Sequence, residues 1–287
     1  MNKNTSLFTL ALVSLAALFA ACSEQPTSDP MSKSEASSVK SAFAQSGQLM
    51  ITSLSNPAGF LSSTGVQQLS GLINALGNPL GTELQTAALN CTVNTTGNTQ
   101  DQDNDKIPVR VSYSADCSQN NNLFRARMSL ADKDDNNRRS GYTLNTDTFQ
   151  LILNSGRSNE SGLILDLDID LNLQNPNYSL RHNFNLTLYE PSKRSSLAYN
   201  YNTTYTPDDP ENPFNAGTFN FNGTFDFRYN RKWFQLTAEG TGLKYSRNCS
   251  QSFVGGTVVI RDSRNNLLQI TYNACNNVTA VYNGETL

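Results

Sequence analysis

From Leu163 to Leu173 the chain places Leu163, Leu165, Leu167, Ile169, Leu171 and Leu173 at every second position. Asp166, Asp168, Asp170 and Asn172 fill the gaps that follow Leu165. Side chains of a strand alternate between two faces, so this pattern predicts one apolar face and one acidic, wetted face. At ~3.3 Å per residue the strand runs roughly 36 Å, long for its kind. Burying its aliphatic side chains contributes on the order of 10 kcal/mol, an upper bound against an extended chain.

The same period recurs downstream. Leu180, His182, Phe184, Leu186 and Leu188 share a face over 180–189. Leu197, Tyr199, Tyr201 and Tyr205 do so over 197–205, and Phe219, Phe221, Phe225, Phe227 and Tyr229 over 218–229. The stretch 233–245 changes phase around Gly240 and Gly242, which predicts a bulge or sharp bend. Earlier strands are expected over 85–93, 108–117, 123–130 and 143–153, and later ones over 257–261, 267–272 and 278–282. Asn-Pro, Pro-Asp-Asp-Pro and Asn-Asn turns connect them.

Before the strands, 35–54 reads as a weakly amphipathic helix. A second helix starts at Ser63 or Thr64, carries Val66, Leu69, Leu72, Ile73 and Leu76 on one face, and ends at Gly77. No long helical segment separates the strands, so parallel crossovers are ruled out. The predicted fold is mainly β: an antiparallel meander forming a large curved sheet or incomplete barrel, with one or two short N-terminal helices packed on it.

The first residues read as an address. Lys3 is followed by an almost unbroken apolar run from Leu7 to Ala21, short for a membrane span but suited to a signal peptide. The run ends Leu18-Phe19-Ala20-Ala21-Cys22, which resembles the lipobox of bacterial lipoproteins, with Phe19 in place of the usual Leu. The resemblance implies cleavage before Cys22, acylation of its thiol and amine with palmitate-type chains, and a membrane contact made by lipid. Ser23 after the Cys points, in that family, to the outer membrane. An ordinary secretory signal with an incidental Cys22 is the alternative. The expected organisation is a signal peptide over 1–21, a lipidated flexible tether over 22–34, rich in Ser, Pro, Asp and Thr, and one β-rich domain over 35–287.

Four further cysteines remain: Cys91, Cys117, Cys249 and Cys275. Both sequential pairs span 26 positions. The pairing 91–117 and 249–275 is expected among the three possible on count alone, in the oxidising compartment that an export signal implies. Metal binding by these cysteines is disfavoured, since no Cys-x-x-Cys is present and the chain has one His.

Composition adds little chemistry. The chain has 287 residues, 37% hydrophobic and 16% charged, with a net charge of −3. There is no basic footprint for nucleic acid. Asp101, Asp103 and Asp105 alternate in a loop that resembles the Asp-x-Asp-x-Asp-Gly calcium loops of secreted bacterial proteins, with Lys106 where the Gly would stand. A second acidic loop, 132–137, adds ligands if the fold brings the two together; a solvated turn is the alternative. Asp166, Asp168 and Asp170 lie ~7 Å apart on one strand face, a spacing glycosidase chemistry allows, but a regular carboxylate row is the ordinary look of a wet face. His182 lies on an apolar face and is expected to be a hydrogen-bonded core or rim residue. No nucleophile elbow, phosphate loop or dinucleotide fingerprint occurs, so an enzyme is not expected.

Two functions follow. In the first, a lipid-anchored protein of the cell envelope holds lipid or another hydrophobic ligand in a curved sheet, with Phe219, Phe221, Phe225 and Phe227 lining the cavity. That architecture is similar to the LolA and LolB lipoprotein carriers. In the second, the aromatic row packs into a closed core, and the protein is a structural or surface-interaction lipoprotein without a pocket. A transmembrane barrel ranks below both.

Overall fold

The computed structural model describes residues 28–55, 63–75, 80, 84, 91–174, 178–191, 193–213, 215–229, 232–249 and 253–287. Two helices, α1 (Lys33–Ser55) and α2 (Ser63–Ala75), precede the strands. The strands are β1 (Asn94–Asn98), β2 (Arg110–Gln119), β3 (Asn122–Asp132), β4 (Tyr142–Leu153), β5 (Ser161–Asn172), β6 (Ser179–Glu190), β7 (Lys193–Pro207), β8 (Ala216–Tyr229), β9 (Lys232–Ser246), β10 (Gly255–Arg261), β11 (Leu267–Ala274), β12 (Asn277–Tyr282) and β13 (Glu285–Thr286). They form one 13-stranded sheet in sequence order, each pair antiparallel. The antiparallel meander is the one the sequence predicts; among the described residues no pairing joins β1 to β13, so the sheet stays open, a point that the strand pattern leaves undecided. The strand expected over 85–93 differs: 91–93 are not strand, 85–90 lie outside the described residues, and the first strand is the wholly exposed polar segment Asn94–Asn98. It has no alternation to detect because neither of its faces is buried.

Each long strand buries alternate side chains. On β5, Leu163 through Leu171 point inward while Asp166 is exposed. Facing residues keep the phase: Leu167 pairs with Phe184, Phe184 with Tyr199, and Tyr199 with Phe225. Two phase changes bend the sheet. On β4 the inward set passes from Tyr142 and Leu144 to Phe149 and Leu151, and at the irregularity the Thr146 hydroxyl takes over main-chain pairing: it accepts from Leu167 N–H at 2.7 Å and donates to Leu167 C=O at 3.2 Å. On β9 the inward set moves from Gly240 to Leu243 across Gly242, which has φ +60°, where the sequence predicts the bend.

The bends curl the inner face onto itself. Tyr142 of β4 lies near enough to Tyr205 of β7 and Tyr245 of β9 for their charges to couple. The Phe253 ring touches Phe219 of β8 and Tyr272 of β11 at centroid distances of 6.0 and 5.3 Å. Above the strand ends, Arg139 of the β3–β4 loop pairs with Glu211 of the β7–β8 loop.

The turns account for much of the asparagine. Seven of the eight non-glycine residues with left-handed backbone among those described are Asn, including Asn120 and Asn121 in the two-residue β2–β3 turn. Tight hairpins require φ above zero, and Asn tolerates it better than other residues that carry a Cβ.

Residues 28–32 are pinned to one end of the sheet. Asp29 exchanges bonds with Trp233 at 2.8 and 3.1 Å, Met31 N–H donates to the Asp262 carboxylate at 2.7 Å, and Ser28 Oγ accepts from Gln235 N–H at 2.8 Å. The chain expected to be free tether up to Ser34 is therefore held from Ser28 onward. Ser32 then caps α1: Glu35 accepts from Ser32 N–H at 2.8 Å while Ser32 Oγ accepts from Glu35 N–H at 3.4 Å, a reciprocal capping box. Glu35 also pairs with Lys232 at 2.7 Å.

Candidate functional site

In an antiparallel meander, alternate connections lie at the same end of the strands. The docked segment 28–32 meets the β8–β9, β10–β11 and β12–β13 turns. The β1–β2 and β3–β4 loops lie at the other end, and they hold the densest cluster of carboxylates among the described residues.

The carboxylates of this cluster accept main-chain and hydroxyl hydrogen bonds that fix the two loops. Asp101 accepts from the N–H groups of Asp105 and Lys106 at 3.1 and 3.0 Å, and Asp103 from Asp105 N–H at 3.1 Å. Asp105 Oδ1 accepts from Ile107 N–H at 2.7 Å. Asp132 accepts from the Ser140 hydroxyl at 2.8 Å. The two loops are joined where Gln102 N–H donates to Asp135 at 2.9 Å and the Arg138 guanidinium to Asn104 C=O at 3.1 Å. Lys106 adopts φ +77° at the position where calcium loops carry Gly, so the turn keeps its shape without the residue that makes it easy.

The carboxylates also converge. Asp101, Asp103 and Asp135 form one set, and Asp103, Asp105 and Asp132 another. Within each set one oxygen from every residue lies within 4.8 Å of the others. Asp105 is only 7% exposed. Asp103 Oδ2, Asp105 Oδ2, Asp132 Oδ2 and Asp135 Oδ2 are shielded from water and have no hydrogen-bond donor. Burial, opposed only by the Ile107 N–H and reinforced by the Asp103, Asp132 and Asp101 charges, pushes the Asp105 carboxyl up to about 7; Asp103 is raised, again mainly by burial. None of the ion pairs among the described residues reaches the cluster: Lys133 is taken by Asp170 and Arg139 by Glu211. Oxygen donors alone suit hard cations such as Ca²⁺, Mg²⁺ or Mn²⁺.

The fold thus places Asp101, Asp103 and Asp105 together and adds Asp132 and Asp135 from the second acidic loop. Asp134 of that loop stays outside both sets. The deciding signal was not in either loop: it is the β2–β3 hairpin, whose register sets Arg110 opposite Ala131 and so brings the two loops side by side.

The other sequence-predicted residues lie elsewhere. Cys22 is outside the described residues. Cys91 is bonded to Cys117 and Cys249 to Cys275, with Cα atoms 5.8 and 5.7 Å apart. The first bridge ties the segment before β1 to β2, and the second ties the β9–β10 loop to the β11–β12 turn. Phe219, Phe221, Phe225 and Phe227 are buried side chains of the inner face. Phe43 of α1 packs on this row, with its ring centroid 5.9 Å from Phe221, 6.1 Å from Phe225 and 6.5 Å from Tyr201. His182 is 2% exposed against Tyr199, but its Nδ1 has no partner, unlike the hydrogen-bonded state expected. Burial lowers its pKa to about 4. Asp166, Asp168 and Asp170 stay on the outer face, Asp170 paired with Lys133.

No protein-family model matches this chain, and neither a curated protein nor a solved structure does.

Proposed function

We propose that the chain is a non-enzymatic, lipid-anchored protein of the bacterial cell envelope whose folded body is a structural or surface-contact module. The observation that carries this reading is the seating of Phe43 on the aromatic row, because it supplies from within the chain the apolar occupant that a carrier would take from outside. The outer face supports the contact role. Around Ala198 it forms a shallow depression of about 220 Å³ bordered by Asp166, Asn185, Asn200, Thr224 and Asp226, whose side chains can hydrogen-bond with hydrated polymers or proteins. A catalytic role has little support, since the sole histidine is enclosed in the core.

The anchor rests on Cys22 and its resemblance to a lipobox. From Cys22 to Ser28 the chain spans at most about 20 Å. Lipidation there would hold the end that carries the β8–β9 turn near the bilayer and direct the acidic loops away from it. Ser23 fits delivery to the outer membrane. The test is expression of the full chain in a Gram-negative host fed an alkyne fatty acid. Label that follows the protein into the membrane fraction and is lost in Cys22→Ser supports the anchor; a soluble, unlabelled wild type overturns it.

A carrier of lipid or another hydrophobic ligand is the second reading. It is favoured by four buried polar atoms of the inner face without partners: His182 Nδ1, Tyr201 Oη, Thr203 Oγ1 and Tyr272 Oη. Buried polar groups are normally paired, so these mark room for water or for the polar end of a ligand.

A further inference from the structure

We propose that the β1–β2 and β3–β4 loops together form a calcium site, with Asp103, Asp105 and Asp132 as carboxylate ligands and Asp101 and Asp135 on its outer side. A merely solvated acidic turn would spread its carboxylates into water. Here Asp105 is only 7% exposed, one of its oxygens lies within 4.8 Å of oxygens of Asp103 and Asp132, and its Oδ2 is shielded and accepts no hydrogen bond. A buried carboxylate oxygen without a donor is rare and unfavourable, and three more shielded oxygens of Asp103, Asp132 and Asp135 share the condition. No lysine or arginine among the described residues bridges them. A cation within the inner set would give the shielded carboxylates of Asp103, Asp105 and Asp132 a partner in common.

The spacing fits one ion. Two oxygens bound to the same Ca²⁺ at 2.3–2.6 Å stand no more than roughly 5 Å apart, and the inner set lies within 4.8 Å. The donor set selects the metal. Zinc favours nitrogen and sulfur, which the site lacks. Magnesium keeps most of its water and seldom takes a cage of three protein carboxylates, whereas calcium accepts six to eight oxygens in flexible geometry. The ion would tie the edge hairpin to the β3–β4 loop, so its structural role is to fix the end of the sheet where β1 is the exposed last strand.

The test uses the purified full chain, stripped with chelator and then titrated with CaCl₂ in a calorimeter, with thermal unfolding followed in parallel. The expected result is saturable binding with Kd of about 10⁻³ M or tighter, the range of extracellular calcium modules, and a rise in Tm at ~5 mM Ca²⁺. Asp103→Asn and Asp132→Asn, both at partly exposed positions, are expected to weaken binding by at least roughly tenfold. Asp166→Asn on the outer face leaves it unchanged. Absence of binding heat and of any Tm rise in the wild type overturns the site. So does calcium binding that survives unchanged in both Asp103→Asn and Asp132→Asn, because the ion then lies elsewhere. The site stands or falls apart from the lipid anchor, which a Cys22 variant tests separately.

Discussion

Replacing Phe43 with alanine removes the ring by which α1 fills the concave face. Phe43 is 3% exposed and meets Phe221, Phe225 and Tyr201 within 6.5 Å. Truncating a buried Phe costs about 3–5 kcal/mol, and aromatic pairs of this kind contribute about 0.5–1.5 kcal/mol each beyond area burial. A loss of about 4 kcal/mol is therefore expected. For a chain of this size, with a urea slope of about 3 kcal/mol/M, the midpoint falls by about 1–1.5 M with the slope unchanged. Trp233, the sole tryptophan, sits beside the docked Asp29 and reports the transition by fluorescence with the disulfides intact. Ile164→Ala, at a site 49% exposed on the outer face, serves as the control and is expected to shift stability by less than about 0.5 kcal/mol. A loss below about 1 kcal/mol for Phe43→Ala would refute the reasoning, since the ring would then border an open lumen.

Three further outcomes are expected. His182 titrates at about 4 when folded and near 6.5 when unfolded. Between these values the unfolded chain binds the extra proton, so stability falls as pH drops from 6.5 towards 4, by on the order of 3 kcal/mol in total, and the contribution is absent above that window. His182→Leu removes this part of the slope, which urea midpoints at neutral and acid pH will show; equal slopes would contradict it. Removing the second bridge with the double variant Cys249→Ala and Cys275→Ala is expected to lower stability by about 3.5 kcal/mol from the loop entropy of its 26-residue span, read in the same denaturation assay. Gly141→Ala is expected to cost at least about 2 kcal/mol. Gly141 has φ +85°, and an added Cβ would stand 2.1 Å from the Leu171 carbonyl oxygen. A Tm within error of wild type would show that the β4 entry is less constrained than described.

The long strands were legible because one face of each is buried, and burial writes itself into the sequence with period two. Leu163 through Leu171 and Phe219 through Phe227 are examples. The bend at Gly242 showed as a broken phase, and the cysteine pairs as equal spacing. β1 left no such trace, because Asn94–Asn98 pairs through its backbone with both faces in water. The docking of Ser28 to Ser32 was also hidden. Its partners, Asp262 and Trp233, lie more than 200 positions away, and its composition is that of a tether. The acidic site was half visible: the sequence shows alternate aspartates in two loops, but only the hairpin register sets Asp132 beside Asp103 and Asp105. His182 was placed on the correct face, while its unpartnered Nδ1 depends on neighbours from other strands.

α1 and the aromatic row occupy the inside of the curled sheet, and on the proposed function the outer surface is the working face. Native mass spectrometry of the protein, exported to an oxidising periplasm as a soluble form beginning at Ser23 and purified without detergent, tests it directly. The expected result is a single mass four hydrogens below the reduced chain, for its two disulfides, with no adduct of lipid size and no change on adding fatty acid or phospholipid. A co-purifying lipid or fatty acid, or one that binds on addition, would contradict it and establish the protein as a carrier.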